Sequence, residues 1–547
     1  MHDVRHDFNG NIPVVEPVFP RVPPADVPAQ SARLTPFLLA GIVILGLLLR
    51  FWGLAWGLPE RTNLYPDEHD HVLQHALALS WANPEPQFLN YPTFLCNSIA
   101  LLHGAAKWLD PGRPDWKAYV IGRGISAVSG VLSILAVFFL ARRFGGAAGA
   151  LLAALWMALL PVNVWDSHVA VTDVLMNFWI LMALWMSVLL QEEPRLRHAV
   201  LAGVCTGLAA GAKYTGGLVC LAPFVSLCLA AGLSWKRRAG FLLLAAACAL
   251  LAAFVATPYS FIRMGNTLAA LAFENRHTHG FQLGFSLPAA GWQYHKFLYQ
   301  LVAAGPFSLG LPLYLAALVG AAWFTFRPDR RRWTLLVFAS AWTLQTCTLT
   351  FTPIRYYHPL FSLGALCAGL WLGAELEHPG AAFRRRAAAA VVLLVLAATL
   401  AFTISTTRRY KYDTRIAADQ WLKTHLQPGQ VVHAFGWSPY VAVVQNRGFP
   451  EKVHPEGHLS TLDHLGTNDL IEVTSMHYLR WERHGHVGLA GLYHRLRQTP
   501  EHFERLAVFD SPYLGREFYG RLDPMFRGYF ISPTIEFYRP LQPPPAP

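Results

Sequence analysis

Acidic residues and histidines are concentrated in one short segment that follows the first hydrophobic run, Tyr65-Pro66-Asp67-Glu68-His69-Asp70-His71. A proline followed by two acids is a helix-start signal, which places Asp67 and Glu68 in the first turn. In such a helix Asp67, His71 and His75 share one face. The positive end of the helix dipole favours an ionised Asp67, ready to accept a proton. A capping cluster on a surface helix would have the same spacing, so both interpretations stay open.

Two more acids, Asp166 and Asp173, follow the third hydrophobic run. Asp173 precedes an apolar stretch, so a helix-start role is an alternative to a chemical one. Further along, Glu274 comes shortly before His277 and His279. A His-x-His pair with a nearby glutamate could bind a metal ion, although the spacing differs from zinc signatures and ordinary loop histidines would look the same.

Two basic residues, Lys213 and Arg355, interrupt hydrophobic sequence. A cation at the centre of a membrane helix costs on the order of 3 kcal/mol, so it usually faces a polar cavity or an anionic partner. Near the end of a span the side chain can simply reach the interface instead. Both residues fall on the same predicted side as the acidic segments. Cations and carboxylates that converge on one face would suit an anionic lipid substrate together with a proton-donating partner.

Long apolar runs must position these residues. Hydrophobic residues make up 54% of the chain, charged residues only 14%, and the mean hydropathy is +0.31. Runs of about 20 apolar residues cross a bilayer as helices. Eleven candidate runs are 36–57, 118–140, 147–163, 171–190, 199–212, 215–233, 239–257, 297–324, 333–351, 356–376 and 386–404. The predicted fold is therefore an α-helical polytopic membrane protein of about eleven transmembrane helices.

The basic residues that give the net charge of +11 are not spread evenly. Arginine and lysine clusters, such as Arg142-Arg143 and Lys236-Arg237-Arg238, fall in every second loop between the runs. This is the positive-inside pattern of a multi-pass protein, and it predicts a bacterial inner membrane with a cytoplasmic N-terminus. The basicity therefore indicates topology, and we expect no nucleic-acid partner.

The composition changes along the chain and predicts three regions. Residues 1–35 are rich in proline and predict a disordered cytoplasmic tail. Residues 36–407 form the predicted transmembrane domain, with external loops 58–117 and 258–296. Residues 408–547 predict a periplasmic α/β accessory domain, which begins with an amphipathic helix from Asp413 to His425 and a strand at 431–435.

Several chemistries lack sequence support. All seven cysteines lie in or beside apolar segments, so no disulfide framework or cysteine metal site is predicted. The chain has no P-loop, no GxGxxG element before a helix and no GxSxG elbow. We expect no nucleotide cofactor and leave a divalent metal ion open.

Taken together, the layout of residues 36–440 resembles the GT-C glycosyltransferases that use polyprenyl-phosphate sugars, including protein O-mannosyltransferases and the lipid A aminoarabinose transferase. The segments that carry the resemblance are Pro66-Asp67-Glu68, Asn90-Tyr91-Pro92, Gly122-Arg123, Arg142-Arg143-Phe144-Gly145, Pro161 to Asp173, Gly207 to Tyr214, and Arg355-Tyr356 followed by Pro359. A weaker similarity lies in the tail, at residues 531–538.

The resemblance implies roles for the acids. Asp67 corresponds to the first-loop catalytic acid and is expected to act as general base on the acceptor hydroxyl. Glu68 is expected to support Asp67 or to help position the acceptor. Asp166 or Asp173 corresponds to the second-loop acid, and we favour Asp173.

The resemblance also implies roles for the cations. Lys213 and Arg355 are expected to hold the donor phosphate, and the anomeric centre is expected to invert by direct displacement. A divalent ion stays open, with four candidate ligands: His69, His71, His277 and His279.

The expected function is thus an integral membrane glycosyltransferase that moves a sugar from a polyprenyl-phosphate donor to a lipid, glycan or protein acceptor on the non-cytoplasmic face. One alternative is a transporter or flippase of an anionic lipid-linked substrate, in which the same cations line a path. However, the chain shows no paired internal repeat with broken helices. A second alternative is a relative that has lost catalysis and serves as a scaffold.

Overall fold

The computed structural model describes residues 29–80, 82–282, 286–287, 295–351, 353–378, 380, 382–436, 438–442, 451–454, 459–484, 487–527 and 531–542. These residues form a large bundle of apolar helices followed by a smaller domain built around one sheet. The predicted fold class, a polytopic helical protein with a C-terminal α/β domain, is confirmed.

All eleven predicted apolar runs lie on helices. Among the described residues, six helices are long and apolar enough to cross a membrane: Leu34–Phe51, Lys117–Ala141, Thr172–Glu192, Trp235–Ala256, Ile354–Leu376 and the apolar part of Ala382–His425. Four apolar helical segments are shorter: Ala147–Leu159, Leu196–Ala212, Tyr214–Leu229 and Leu311–Thr325. The run 333–351 is the helix Arg332–Thr348.

Several of these helices are interrupted, and the interruptions position charged side chains. The helix Leu196–Ala212 stops at Lys213, whose backbone is extended, and a 3₁₀ segment, Tyr214–Cys220, continues the chain. Another 3₁₀ turn, Ile354–Tyr357, precedes the helix His358–Leu376 and carries Arg355. Irregular backbone at membrane depth is tolerated where it is buried in protein or lines a cavity. The breaks therefore occur where the predicted cations are.

Small residues allow the apolar helices to approach closely. A Cβ atom added at Gly203 or Gly207 would lie 2.2 or 2.1 Å from a backbone oxygen of the helix Trp235–Ala256. One added at Gly373 would lie 2.2 Å from Gly149. Glycines spaced four apart are typical of membrane helix contacts, where close backbone packing replaces the hydrophobic drive available in water.

The two loops that were predicted to be external contain helices that the sequence analysis did not predict. Phe94–Leu109 and Met264–His279 lie in the loops 58–117 and 258–296. The first helix buries Leu95 and Ile99 and exposes Leu101, Leu102 and Trp108. An amphipathic helix of this kind is suited to lie along the membrane interface.

The C-terminal domain contains a five-stranded sheet with the order β2-β1-β3-β5-β4. Its strands are β1 (Val431–Phe435), β2 (Glu451–His454), β3 (Asp469–Thr474), β4 (Phe503–Phe509) and β5 (Ile535–Pro540). β1 pairs in parallel with β2 and β3, whereas β5 is antiparallel to β3 and β4. The helices of this domain are Thr414–His425, Ser475–Arg483, Val487–Gln498 and Arg516–Leu522.

The local predictions for this domain are accurate. The helix Thr414–His425 begins after Asp413, whose carboxylate caps it by accepting from the Arg415 amide, and the predicted strand is β1. Two boundaries differ from the prediction. The first helix begins at Ala29, inside the predicted tail, because Ala29 to Leu34 contains no helix breaker. The last apolar helix continues to Lys411 for the same reason.

The two domains are joined by buried arginines. Arg415 is fully buried, and its Nη1 donates to the carbonyl oxygens of Leu64 at 2.7 Å and Pro439 at 2.8 Å. Arg61 of the first external loop donates to the carbonyl of Ala442. The C-terminal domain therefore contacts the backbone just before the Asp67 helix.

Candidate active site

The first-loop segment forms one continuous helical stretch made of Pro66–Glu68, a π-helical turn His69–Leu73, and Gln74–Ala78. Asp67 lies in its first turn, and no side chain caps the helix. The Asp67 carboxylate instead accepts a hydrogen bond from Arg355 Nη2 at 2.6 Å. The capping interpretation is therefore wrong for Asp67, which has a tertiary partner.

Arg355 is the centre of a chain of ion pairs. Besides Asp67, it contacts the hydroxyl of Tyr65 through Nη1 at 3.1 Å, and its Nε lies 3.5 Å from Asp173 Oδ2. The other oxygen of Asp173 accepts from Lys213 Nζ at 2.7 Å. Two carboxylates and two cations thus alternate as Asp67, Arg355, Asp173 and Lys213. Four residues from separate parts of the chain form one network.

Aromatic rings cover the cationic part of this network. Lys213 Nζ lies 4.1 Å from the centroid of the Tyr356 ring. The backbone oxygen of Tyr356 accepts from the Trp342 indole at 2.9 Å, which holds the backbone that carries this ring. A cation over an aromatic face is stabilised by the ring quadrupole, so Tyr356 helps to hold Lys213 at the network.

Glu68 points away from this network. It is fully buried and forms a bidentate pair with Arg123, at 2.9 and 2.7 Å. Glu68 Oε1 also accepts from the amide of Ala170 at 2.8 Å, and Arg123 donates to the carbonyls of Leu54 and Trp56. With both oxygens engaged inside the protein, Glu68 ties the loop to the bundle. The expectation that it helps to position an acceptor has no support in its surroundings.

The two second-loop acids lie in different places. Asp166 is buried, and its Oδ2 lies 2.7 Å from His358 Nε2. Asp173 belongs to the network with Arg355 and Lys213 and lines the cavities described below. The geometry therefore favours Asp173 over Asp166 as the second chemical acid, in line with the sequence preference.

Two openings share Asp173 in their linings. A narrow cleft is lined by Asp67, Arg355 and Asp173. A larger cavity of about 420 Å³ is lined by Asp173, Lys213 and Tyr356, and also by apolar groups such as Leu271 and Trp342. Tyr91 lines both openings. A ligand in the larger cavity can therefore place a polar group at the network and an apolar part beside Leu271 and Trp342.

The tyrosines of the first loop remain protonated donors at neutral pH. Burial is the largest cause of the raised pKa of Tyr91, and the nearby carboxylates of Asp67 and Glu274 raise it further. Burial also raises the pKa of Tyr65, although the Arg355 cation opposes the shift. Tyr65 and Tyr91 therefore add neutral hydrogen-bond donors to a site that is otherwise charged.

The candidate metal ligands do not converge. His69 contacts the Tyr119 hydroxyl at 2.5 Å, whereas His71 lies 3.8 Å from Asp67 and stacks on Phe88. His277 stacks on Phe273, and His279 contacts the carbonyl of Asn275. Within the described ranges, no group of three His, Cys, Asp or Glu side chains could hold a metal ion. The four candidate ligands therefore have separate partners in the described part of the chain.

Sequence reasoning missed some residues of the site. Tyr65 and Tyr356 are neighbours of predicted residues, but nothing in their spacing indicated contacts with the cations. His358 follows Arg355 by three residues, and its pairing with Asp166 depends on packing between the helices. These contacts join residues far apart in the chain, which one sequence does not relate.

One family model matches part of the helical bundle. Residues 117–258 match the family model of dolichyl-phosphate-mannose-protein mannosyltransferases. The matched residues include Arg123, Asp166, Asp173 and Lys213. No curated protein sequence matches the chain.

Solved structures with a similar fold come from bacteria, archaea and yeast. The archaeal oligosaccharyltransferase AglB from Archaeoglobus fulgidus, in complex with an inhibitory peptide and a dolichol-phosphate, has 14% identity and a TM-score of 0.49, with 88% of this chain and 74% of that chain covered. ArnT from Cupriavidus metallidurans, bound to undecaprenyl phosphate, has 13% identity and a TM-score of 0.47, with 93% and 98% covered. The S. cerevisiae Pmt1–Pmt2 complex bound to the sugar donor has 17% identity and a TM-score of 0.33, with 47% and 38% covered.

The match over residues 117–258 confirms the resemblance drawn from the sequence and the prediction of an enzyme. Over residues 117–258, the chain is accordingly similar to glycosyltransferases of the mannosyltransferase class.

Proposed function

We propose that this protein transfers one sugar from a polyprenyl-phosphate donor to a hydroxyl acceptor on the non-cytoplasmic face of a bacterial inner membrane, with inversion at the anomeric carbon. The observation that carries the proposal is the Asp67–Arg355–Asp173–Lys213 network at the junction of the cleft and the larger cavity. The name of the matching family, which contains a lipid-phosphate sugar, supports this donor class.

The larger cavity suits such a donor. Lys213 provides a cation at its lining, while Leu271 and Trp342 provide apolar surface for the first part of a lipid chain. Fixed cations stabilise the charge that builds up on a departing phosphate. Lys213 and Arg355 are paired with carboxylates in this structure, so the donor phosphate would compete with Asp173 and Asp67 for them. Donor binding would thereby weaken the hold of Arg355 on Asp67.

Asp67 is the proposed general base. Its side chain is 30% exposed, and it lines the cleft that meets the larger cavity. The acceptor oxygen attacks the anomeric carbon as Asp67 takes the hydroxyl proton. The bond from that carbon to the phosphate oxygen breaks, and polyprenyl phosphate leaves with the bonding electrons. A positioned base of this kind contributes about 10²–10⁴-fold to the rate.

The remaining acids have positioning roles in this proposal. Asp173 orients Lys213 and Arg355 through its two oxygens. Glu68 holds the Asp67 helix on the bundle through Arg123. Asp166 orients His358, at the start of the helix that follows Arg355.

The proposed step balances without a divalent ion. Asp67 and Asp173 offer carboxylate oxygens of the kind that a divalent cation prefers, and such an ion would compete with Arg355 and Lys213 for them. One relative of similar fold, the Archaeoglobus fulgidus oligosaccharyltransferase, has been solved in complex with Zn and sulfate. For the present chain, the chemistry is assigned to its own side chains.

The direction of the helices supports the external face. Thr172–Glu192 begins beside Asp173 and ends at Glu192, which pairs with Arg143 and Arg331. These arginines belong to the clusters that the positive-inside pattern assigns to the cytoplasm. The network therefore lies at the opposite ends of the helices from the arginine clusters.

The test is sugar transfer by the purified protein in detergent or vesicles, from a polyprenyl-phosphate donor with a labelled sugar. The proposal expects a glycosidic product together with free polyprenyl phosphate. Movement of intact donor between leaflets without any glycosidic product would contradict it and favour the transporter alternative.

A further inference from the structure

A carboxylate at the larger cavity has no role in the mechanism described above. Glu274 lies on the helix Met264–His279 and lines the cavity beside Asn90. Its Oε1 accepts a hydrogen bond from Asn90 Nδ2 at 2.7 Å. Across the described part of the chain, no ion pair of Glu274 within 4.0 Å is found. Glu274 therefore presents a negative charge, held by an amide, to the ligand space.

The surroundings of this pair are suited to hydroxyl groups. The polar residues that line this part of the cavity offer amide, carboxylate and hydroxyl groups: Asn90, Glu274, Asn275, Thr278 and Gln345. Small-molecule sites commonly combine an apolar lining with a few placed polar groups that fix the orientation of the ligand. A lipid chain cannot form hydrogen bonds with such groups, whereas the hydroxyl groups of a sugar ring can.

The pair is also close to the proposed chemistry. Tyr91 follows Asn90 directly and lines both the cleft that contains Asp67 and the larger cavity. The carboxylates of Asp67 and Glu274 both raise the pKa of Tyr91, so both lie near its ring. Glu274 therefore shares the lining of the larger cavity with Asp173 and Lys213 of the network, where the proposed sugar would lie.

We propose, on the basis of the proposed transferase function, that Asn90 and Glu274 form the subsite that binds the donor sugar. This subsite favours neutral or amino sugars over uronic acids. Asn90 fixes one oxygen of Glu274, and the other oxygen is available to accept from a sugar hydroxyl or ammonium group. Hydrogen bonds to an ionised acceptor are about twice as strong as neutral ones. A uronate would instead place a like charge next to Glu274, which is unfavourable.

The experiment measures displacement of labelled undecaprenyl phosphate from the purified full-length protein by three unlabelled lipids. These are undecaprenyl phosphate, undecaprenyl-phosphate glucose and undecaprenyl-phosphate glucuronic acid. The wild-type protein is expected to bind the glucose lipid at least about tenfold more tightly than the glucuronic acid lipid, which corresponds to about 1.4 kcal/mol. Glu274→Gln is expected to reduce this ratio to less than about threefold, with the affinity for undecaprenyl phosphate unchanged.

Two further variants complete the test. Asn90→Ala removes the amide that holds Glu274 and is expected to reduce the preference for the glucose lipid, which keeps the test decisive if Glu274→Gln does not fold. Glu60→Gln removes an exposed carboxylate that lines neither opening and should leave the ratio unchanged.

The outcomes separate this inference from the function on which it rests. Failure of undecaprenyl phosphate to bind the wild-type protein would overturn the proposed function and this inference together. Binding of undecaprenyl phosphate with no preference between the two sugar lipids would overturn the inference alone. An unchanged preference in Glu274→Gln would do the same.

Discussion

Asp67 and Glu68 are consecutive acids on one helical turn, yet their carboxylates lie in opposite environments. The Glu68 side chain is 0% exposed, and both its oxygens are bound by Arg123, with the Ala170 amide as an additional donor. Asp67 is 30% exposed, faces the cleft, and has Arg355 as its close partner. One carboxylate is saturated by fixed donors, and the other keeps an oxygen accessible to a ligand.

This contrast teaches how a charged site is built at a membrane surface. A buried pair such as Glu68–Arg123 contributes specificity of position more than net stability, because desolvation offsets the attraction. Its removal nevertheless leaves an unpaired charge inside the protein. The network at the cavity uses the same residue types, but a ligand can exchange with its ion pairs. The first region should therefore respond to mutation in stability and the second in activity.

The largest effect is expected at the buried pair. Glu68→Ala leaves Arg123 uncompensated and should lower the free energy of unfolding by about 3–5 kcal/mol. The midpoint of thermal unfolding in detergent measures this change. A variant with wild-type stability but no activity would show that Glu68 belongs with Asp67 in the chemistry and would break the comparison.

The next effect is expected at the phosphate cations. Lys213→Ala removes a fixed charge from the developing phosphate and should lower kcat for sugar transfer about 10²–10³-fold. Transfer from a labelled polyprenyl-phosphate donor measures the change. The matched control is Lys107→Ala, which removes a cation that pairs with the exposed Asp115 and not with a residue of the network. Equal losses in both variants would contradict a specific role for Lys213.

The two second-loop acids sharpen the comparison. Asp166→Asn weakens a buried, charge-assisted contact with His358 and should lower the free energy of unfolding by about 1.5–3 kcal/mol, with kcat for the folded enzyme largely retained. Asp173→Asn should act mainly on kcat. The midpoint of thermal unfolding and the rate of sugar transfer are measured for both variants. A loss of kcat in Asp166→Asn together with a loss of stability in Asp173→Asn would assign the second chemical acid to Asp166.

The smallest effect is expected at an exposed ion pair between the external loops. Glu85 forms a bidentate contact with Arg263 at 2.8 Å, and both side chains are substantially exposed. Glu85→Gln should leave the midpoint of thermal unfolding nearly unchanged, because solvent and salt screen such pairs. A thermal shift as large as that of Glu68→Ala would mean that the pair fixes the loops.

Much of this architecture could be predicted from the sequence because bilayer physics constrains it. Every apolar run became a helix, and the amphipathic segment after Asp413 and the strand β1 were identified from their patterns. The external helices, Phe94–Leu109 and Met264–His279, were not predicted. Each is a segment of 16 residues, which is too short to span a bilayer.

The sequence predicted which residues belong to the site better than it predicted which of them pair with each other. Asp67, Asp173, Lys213 and Arg355 were expected to lie on one face, and the structure joins them in one network. The pairing of Glu68 with Arg123 was not expected, because partner choice depends on how the loop folds back onto the bundle. Glu274 was noted only beside two histidines, and its place at the cavity depends on a helix that the sequence analysis did not predict.

The most direct test of the central claim compares Asp67→Asn with Asp70→Asn, which removes an exposed carboxylate of the same helical segment. For each purified variant, the affinity for undecaprenyl phosphate, thermal unfolding and the rate of sugar transfer are measured together. The account predicts that Asp67→Asn folds and binds the lipid phosphate but transfers sugar about 10²–10⁴-fold more slowly, while Asp70→Asn matches the wild type. Full transfer activity in a folded Asp67→Asn variant would contradict the account.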